Sequence, residues 1–245
     1  MVPVSVGTGR SVAVTLLRVM SYNLQRLTGD PRAAVAVVRA ADPDVLGVQE
    51  PPRTAWGRAR LRRFARAAGL QVVLAGRGAR TTALLAAPRL GPADDVEVLR
   101  LRWRGARLVR RWWARRGVVV ASFGGLRVVV LHLALDPAER LRHADEILDH
   151  LAGRPGPTVL LGDLNEPPSG PVWARFAPAL SDADPTGDLT FPAHRPQHRI
   201  DAVLVSPDVT VRAVRVPTGE AERRGSDHLP VVADVELATG PPARG

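Results

Sequence analysis

The chain has 245 residues, 45% of them hydrophobic, which is enough to bury a substantial core and excludes disorder throughout. It contains no cysteine, so disulfides, thiolate nucleophiles and Cys-ligated zinc or iron–sulfur sites are excluded. All 34 basic residues are arginine, which removes phosphate-loop and Schiff-base lysines, and the net charge of +10 steers the protein toward polyanions such as nucleic acid or anionic lipid. Part of that arginine excess reflects coding, because a chain this rich in Ala, Arg, Gly, Pro and Val is what a GC-rich genome produces.

The amino end, residues 1–15, has no basic leader followed by a long apolar stretch, so it reads as a flexible extension rather than a secretory signal. A buried strand is predicted at Leu16–Tyr22, a helix at Pro31–Ala41 and a strand at Val45–Val48. Then follow a helix at Trp56–Ala68 and strands at Val72–Ala75, Thr82–Ala86 and Val96–Leu101. The strands Val118–Phe123 and Arg127–Leu133 flank Gly124-Gly125, the signature of a tight hairpin. A helix at Pro137–Leu151 is opened by Asp136 as cap, with Pro137 in its first turn. Strands at Val159–Leu161, Ile200–Val205, Val209–Val216 and Val231–Leu237 complete the series, and residues 239–245 read as a disordered tail. A hairpin among helix-joined strands points to a mixed α/β domain with packed sheets, spanning residues 16–238.

The longest apolar run, Val118–Leu135, is interrupted by Ser122, two glycines, Arg127 and His132, short of the roughly 20 residues a membrane span needs. A monomeric, cytoplasmic protein without a transmembrane segment is the expectation.

Chemistry gathers at the strand ends. The first strand runs into Asn23, the second into Gln49-Glu50, and the one before His132 into that imidazole. Val159–Leu161 leads to Asp163 and Asn165, Ile200 leads to Asp201, and Ser226-Asp227-His228 precedes the last strand. A lone Asp after a strand is usually a turn former, but six such termini together describe a site. Glu50, Asp163, Asp227, Asn23 and Asn165 offer only oxygen, which favours Mg²⁺ or Mn²⁺ over zinc, and such ions act on phosphate esters. His228 backed by Asp201 fits an imidazole held in one tautomer.

The strings VMSYNLQ (19–25), DPDVLGVQE (42–50), VVVLHLAL (128–135), VLLGDLNEPP (159–168), HRIDAVLVS (198–206) and GSDHLPVVADV (225–235) resemble, in order, the signatures of the endonuclease/exonuclease/phosphatase superfamily. The resemblance covers nearly the whole chain. It implies a deoxyribonuclease I-like α/β (α+β) fold, a four-layer α/β/β/α sandwich of two mixed β-sheets flanked by helices. It implies Glu50 as principal metal ligand, with Asn23 and Asp227 assisting. Asp163 would orient or deprotonate water, Asn165 would hold phosphate or water, and His228, oriented by Asp201, would stabilise charge on the phosphate. His132 would bind the phosphate or protonate the leaving group. The reaction would be hydrolysis of a phosphodiester or phosphomonoester by in-line attack of water.

The family often places a tyrosine in mid-chain as a phosphate contact, whereas the only tyrosine here is Tyr22. Arg80 and Thr81 are candidate substitutes. The segment Arg100–Arg116 holds eight arginines and Trp103, Trp112 and Trp113 with no acidic residue. Arg111 and Trp112 are therefore candidate substrate contacts, by phosphate pairing and stacking on nucleic-acid bases or by seating on an anionic membrane; a solvated hairpin is the competing reading. The basic stretch Arg58–Arg66 reads as a solvated helix face. Adjacent Ser226, Asp227 and His228 cannot form a hydrolase triad, because neighbours on an extended chain point in alternate directions. A nucleic acid is the expected substrate. The alternatives are a phospholipid, an inositol phosphate or a nucleotide, and, in another class, a non-catalytic basic binding module.

Overall fold

The computed structural model describes residues 14–53, 56–76, 78–102 and 116–238. In chain order these form β1 (Val14–Asn23), α1 (Pro31–Ala41), β2 (Val45–Gln49), α2 (Gly57–Ala67), β3 (Gln71–Ala75), β4 (Thr82–Ala86), β5 (Asp95–Arg100), β6 (Gly117–Phe123) and β7 (Leu126–His132). They continue with α3 (Pro137–Ala152), β8 (Thr158–Asp163), α4 (Pro171–Phe176), β9 (Ser181–Asp182), β10 (Asp201–Val205), β11 (Val209–Arg215), α5 (Glu220–Gly225) and β12 (Val231–Ala238). One six-stranded sheet has the order β11-β12-β1-β2-β4-β3 and the other β5-β6-β7-β8-β10-β9. Both are mixed: β1 pairs with β2 and β7 with β8 in parallel, while the remaining pairs are antiparallel.

Alternation along the strands builds the layers. On β1, Leu17 and Val19 face the other sheet, whereas Met20 and Tyr22 face α1 and α2. On β8, Val159 and Leu161 face inward, and Leu160 faces α3 and α4. Three apolar layers therefore separate four layers of secondary structure, the predicted α/β/β/α sandwich. The sheets come close at Gly47, where an added Cβ would lie 2.8 Å from Leu161 Cβ. They are tied at one end by Thr82 of β4, whose Oγ1 donates to the carbonyl of Gly117 on β6 at 2.9 Å.

The predicted cap of α3 acts as expected, and the structure adds one at the start of α1. Asp30 Oδ1 accepts from Arg32 N and Ala33 N, and Asp136 Oδ1 accepts from Glu139 N, each satisfying donors of a first helical turn. Gly124 and Gly125, at φ 52° and 90°, close the β6–β7 hairpin beside the Phe123–Leu126 pair. Arg58, Arg60, Arg62, Arg63 and Arg66 on α2 are exposed, the expected solvated face. Boundaries move where pairing extends a strand: β1 begins at Val14 because it pairs with Ala238 on β12, and β8 reaches Asp163 because Asp201 pairs with it. The short elements α4, α5 and β9 are too brief for periodicity to announce. The predicted tail and most of the amino-terminal extension, with Trp103, Arg111, Trp112 and Trp113, lie outside the described residues. Among those described, no helix is long and apolar enough to cross a membrane.

Leu161→Ala, which empties the inter-sheet core, is expected to cost roughly 3 kcal/mol in urea unfolding. Arg62→Ala on the exposed face of α2 is expected to stay within about 0.5 kcal/mol of the parent.

Candidate active site

The alternation that fills the inter-sheet core also builds the site. Past Leu17 and Val19, the same face of β1 continues with Ser21 and ends at Asn23. Past Val128 and Val130 it ends at His132 on β7; past Val159 and Leu161 it ends at Asp163 on β8; before Val203 it begins at Asp201 on β10. His132 lies in register with Asp163, and Asp163 with Asp201. Three polar side chains thus stand side by side where the apolar interior stops, opposite Asn23 of the other sheet.

Asp163 is the hub. Its Oδ2 accepts from Asn23 Nδ2 at 3.0 Å and lies 3.5 Å from His132 Nε2 and 3.9 Å from His228 Nε2. Its Oδ1 accepts from the backbone N–H of Asn165 at 2.9 Å. Asn165 sits in the left-handed region at φ 52°, which asparagine tolerates better than most residues, and its Nδ2 donates to the Leu133 carbonyl. His228 Nδ1 lies 2.8 Å from Asp201 Oδ2, the expected pairing, and Phe191 packs against the imidazole with ring centroids 4.7 Å apart. Ser226 Oγ donates to the Asn23 carbonyl at 2.6 Å, tying the loop that carries Asp227 and His228 to the end of β1.

Burial, with the charge of Asp201 beside it, pushes the Asp163 carboxyl up to about 7. Burial opposes charge on His228, but the carboxylates of Asp201 and Asp163 outweigh it and raise the imidazole to about 9. His132 is driven the other way, well below its ordinary value, by burial and by the positive charge of Arg116. The two imidazoles therefore differ: His228 is cationic at neutral pH and His132 is neutral. Asp201 Oδ1 and His132 Nδ1 are buried and have no hydrogen-bond partner among the described residues.

Glu50 follows β2 at φ 48°, held by its N–H donating to the Thr81 carbonyl at 2.9 Å. Its Oε2 lies 3.4 Å from Arg26 Nε. Among the described residues, Asp163, Asp201 and His228 form a buried group of three whose ligand atoms all lie within 4.8 Å of one another. Hydrogen bonding engages His228 Nδ1 with Asp201 and Asn23 Oδ1 with the Gln25 N–H. Glu50, Asn23 and Asp227 carry the oxygen donors that suit a hard divalent cation, and the Arg26 guanidinium borders Glu50.

Several arginines border these carboxylates. Arg116, just ahead of β6, is pulled below its ordinary value by burial while Asp163, Glu50 and Glu139 counter the shift; its Nε is buried and has no hydrogen-bond partner among the described residues. Burial and the charge of Arg116 lower Arg53 to about 10, against the pull of Glu50, and the charges of Arg26 and Arg80 add to that lowering. Arg80, an expected substrate contact, thus belongs to this group, whereas Arg111 and Trp112 lie outside the described residues. Sequence reasoning missed Arg26, Arg53, Arg116 and Phe191. It also missed Glu166, which pairs with Arg140 at 3.1 Å and accepts from Val172 N, anchoring the loop after Asn165. Position directly before a strand of the inter-sheet core was the available signal for Arg116.

A sequence profile of the endonuclease/exonuclease/phosphatase family matches residues 20–228. No curated protein matches the chain by sequence. Among solved structures, it is similar to a protein of that family from Bacteroides thetaiotaomicron, at 21% identity and TM-score 0.77, covering 93% of this chain and 100% of the other. A mannosyl-6-phosphatase of the same organism has TM-score 0.72 at 21% identity, covering 89% and 99%. An endonuclease/exonuclease/phosphatase from Beutenbergia cavernae has TM-score 0.66 at 25% identity, covering 93% and 73%.

Beneath the site, burial and the charge of Arg116 push His143 of α3 down to about 4. Its folded value lies below its unfolded one of 6.5, so its contribution to stability is present above 6.5 and is lost as pH falls toward about 4. Burial raises nearby Glu139, which works in the opposite direction. The difference between the parent and His143→Gln in urea unfolding at pH 7 and pH 4 isolates the histidine. The parent is expected to lose up to roughly 3 kcal/mol more than the variant.

Proposed function

Because the chain belongs to the endonuclease/exonuclease/phosphatase family, we propose that it is a divalent-metal-dependent phosphoesterase that hydrolyses nucleic acid by in-line attack of water on phosphorus. The observation that carries the reading is the buried Asp163, with Asn23, His132, Asn165 and His228 converging on its carboxylate. A carboxyl whose value lies near neutrality can both exist as a base at pH 7 and hold a proton once taken.

In this reading Asp163 Oδ2 receives a proton from the attacking water, whose oxygen forms the new bond to phosphorus as the bond to the leaving oxygen breaks. Asn165 and Asn23 fix the carboxylate's orientation. His228, held cationic by Asp201, stabilises the negative charge that develops on the non-bridging oxygens, and the neutral His132 hydrogen-bonds the phosphate. Arg116, with a buried Nε and a charge that reaches Asp163, supplies the mid-chain phosphate contact for which the sequence offers no tyrosine. Glu50, Asn23 and Asp227 would hold Mg²⁺ or Mn²⁺. When bound, the ion supplies charge neutralisation at the phosphate and at the leaving oxygen.

The preference for nucleic acid rests on the net charge of +10 and on the arginines bordering the carboxylates. A phosphomonoesterase acting on a lipid, inositol phosphate, nucleotide or sugar phosphate is the second reading, favoured by the likeness to a mannosyl-6-phosphatase.

Assays on bis(p-nitrophenyl) phosphate, p-nitrophenyl phosphate, plasmid DNA and a phospholipid panel should show turnover with Mg²⁺ or Mn²⁺ and none with EDTA. Asp163→Ala and His228→Ala are each expected to lower kcat by about 10²–10⁴-fold. DNA affinity that falls steeply with rising salt supports the nucleic-acid reading. Selective turnover of monoesters favours the second. Polyanion binding by folded protein with no turnover on any substrate would leave a binding module.

A further inference from the structure

Immediately after Asn23 the backbone does something costly. Gln25, Arg26 and Leu27 lie in succession in the left-handed region, at φ 44°, 58° and 59°, and none is glycine. Crowding between Cβ and the following carbonyl penalises each such residue, so the segment persists only because its surroundings hold it. The hold is visible: Leu24 N–H donates to the Gln49 carbonyl at 2.9 Å and Arg26 N–H to the Glu50 carbonyl at 2.8 Å. Glu50 is itself left-handed, at φ 48°. Two strained corners are thus stapled backbone to backbone, which brings the side chains of Arg26 and Glu50 together, Nε to Oε2 at 3.4 Å.

The pair is loosely placed. The Arg26 side chain is 52% exposed and that of Glu50 25%, so the contact is not locked by burial and the guanidinium has room to leave. Its charge nevertheless reaches inward, contributing to the lowering of His132 and Arg53.

We infer that Arg26 is a two-position residue: it serves as the counter-ion of Glu50 while no divalent cation is bound, and on cation binding it turns to grip the substrate phosphate. The inference rests on Glu50 being a cation ligand, as proposed above. A divalent cation that takes Glu50 Oε2 replaces the guanidinium at that oxygen. The displaced guanidinium, still tethered by the stapled turn, can then bind two oxygens of an incoming phosphate in a fork. Glycine at position 26 would keep the backbone path more comfortably than arginine does, so the strain argues that the side chain is what the position requires.

The test uses the full chain stripped of metal, with Arg26→Gly as the principal variant because it removes the side chain without opposing the turn. Calorimetric titration with Mn²⁺, substrate absent, is expected to give a dissociation constant about two- to fivefold lower than the parent's, the size of an exposed ion pair removed. KM for the best phosphate ester is expected to rise about tenfold or more while kcat changes little, with Arg26→Lys recovering only part of the loss. Unchanged or weaker Mn²⁺ binding in Arg26→Gly, or an unchanged KM, overturns the proposal. Glu50→Gln separates the two levels of the argument. Loss of Mn²⁺ binding there supports Glu50 as the ligand that Arg26 attends, whereas unimpaired binding removes Glu50 as a ligand and the proposal with it.

Discussion

Two sheets packed face to face share an interior that must be dry along its length, and alternation supplies one apolar side chain to it every second residue. At the strand ends that demand lapses while the direction of the side chains does not. Asn23, His132, Asp163 and Asp201 occupy positions that would hold Val or Leu had the strands run two residues further. They inherit the burial of the core without its apolar character. Two unusual protonation states follow, a carboxyl near neutrality at Asp163 and an imidazole that refuses its proton at His132.

The surrounding charge takes up what burial penalises. Asp201 and Asp163 hold a proton on His228, while Arg116, Arg53 and Arg26 crowd positive charge against His132 and around Glu50. Lysine in these places would be drawn toward neutrality by burial, whereas a guanidinium remains charged near pH 7 even at Arg53, which lies at about 10. The positive border is therefore a fixed field, and the titration of the site near neutrality is left to Asp163.

Much of this was legible in the residues. The layered architecture follows from alternation, the hairpin from Gly124-Gly125, the start of α3 from Asp136, and the convergence of Asp163, Asp201 and His228 from their places at strand ends. Carrying the two-residue period one step past Val130, Leu161 and Val203 would also have shown that His132, Asp163 and Asp201 face inward. What stayed hidden depends on chain segments meeting at a distance. Arg116 reads as one letter in a basic run until Asp163 and Glu50 are brought beside it, and Arg53 has no pattern around it. The left-handed turn at 25–27 contains no glycine or asparagine to announce it, because its cause is the corner at Glu50, on another strand.

The near-contact at Gly47 reaches beyond packing. Asn23 belongs to one sheet and Asp163 to the other, so the 3.0 Å between them depends on how far apart the sheets stand, and Gly47 against Leu161 is one place where they come close. Close-packed interiors transmit displacement rather than absorb it. The separation of Asn23 from Asp163 is therefore sensitive to side-chain volume in the middle of the core, at positions remote from either residue.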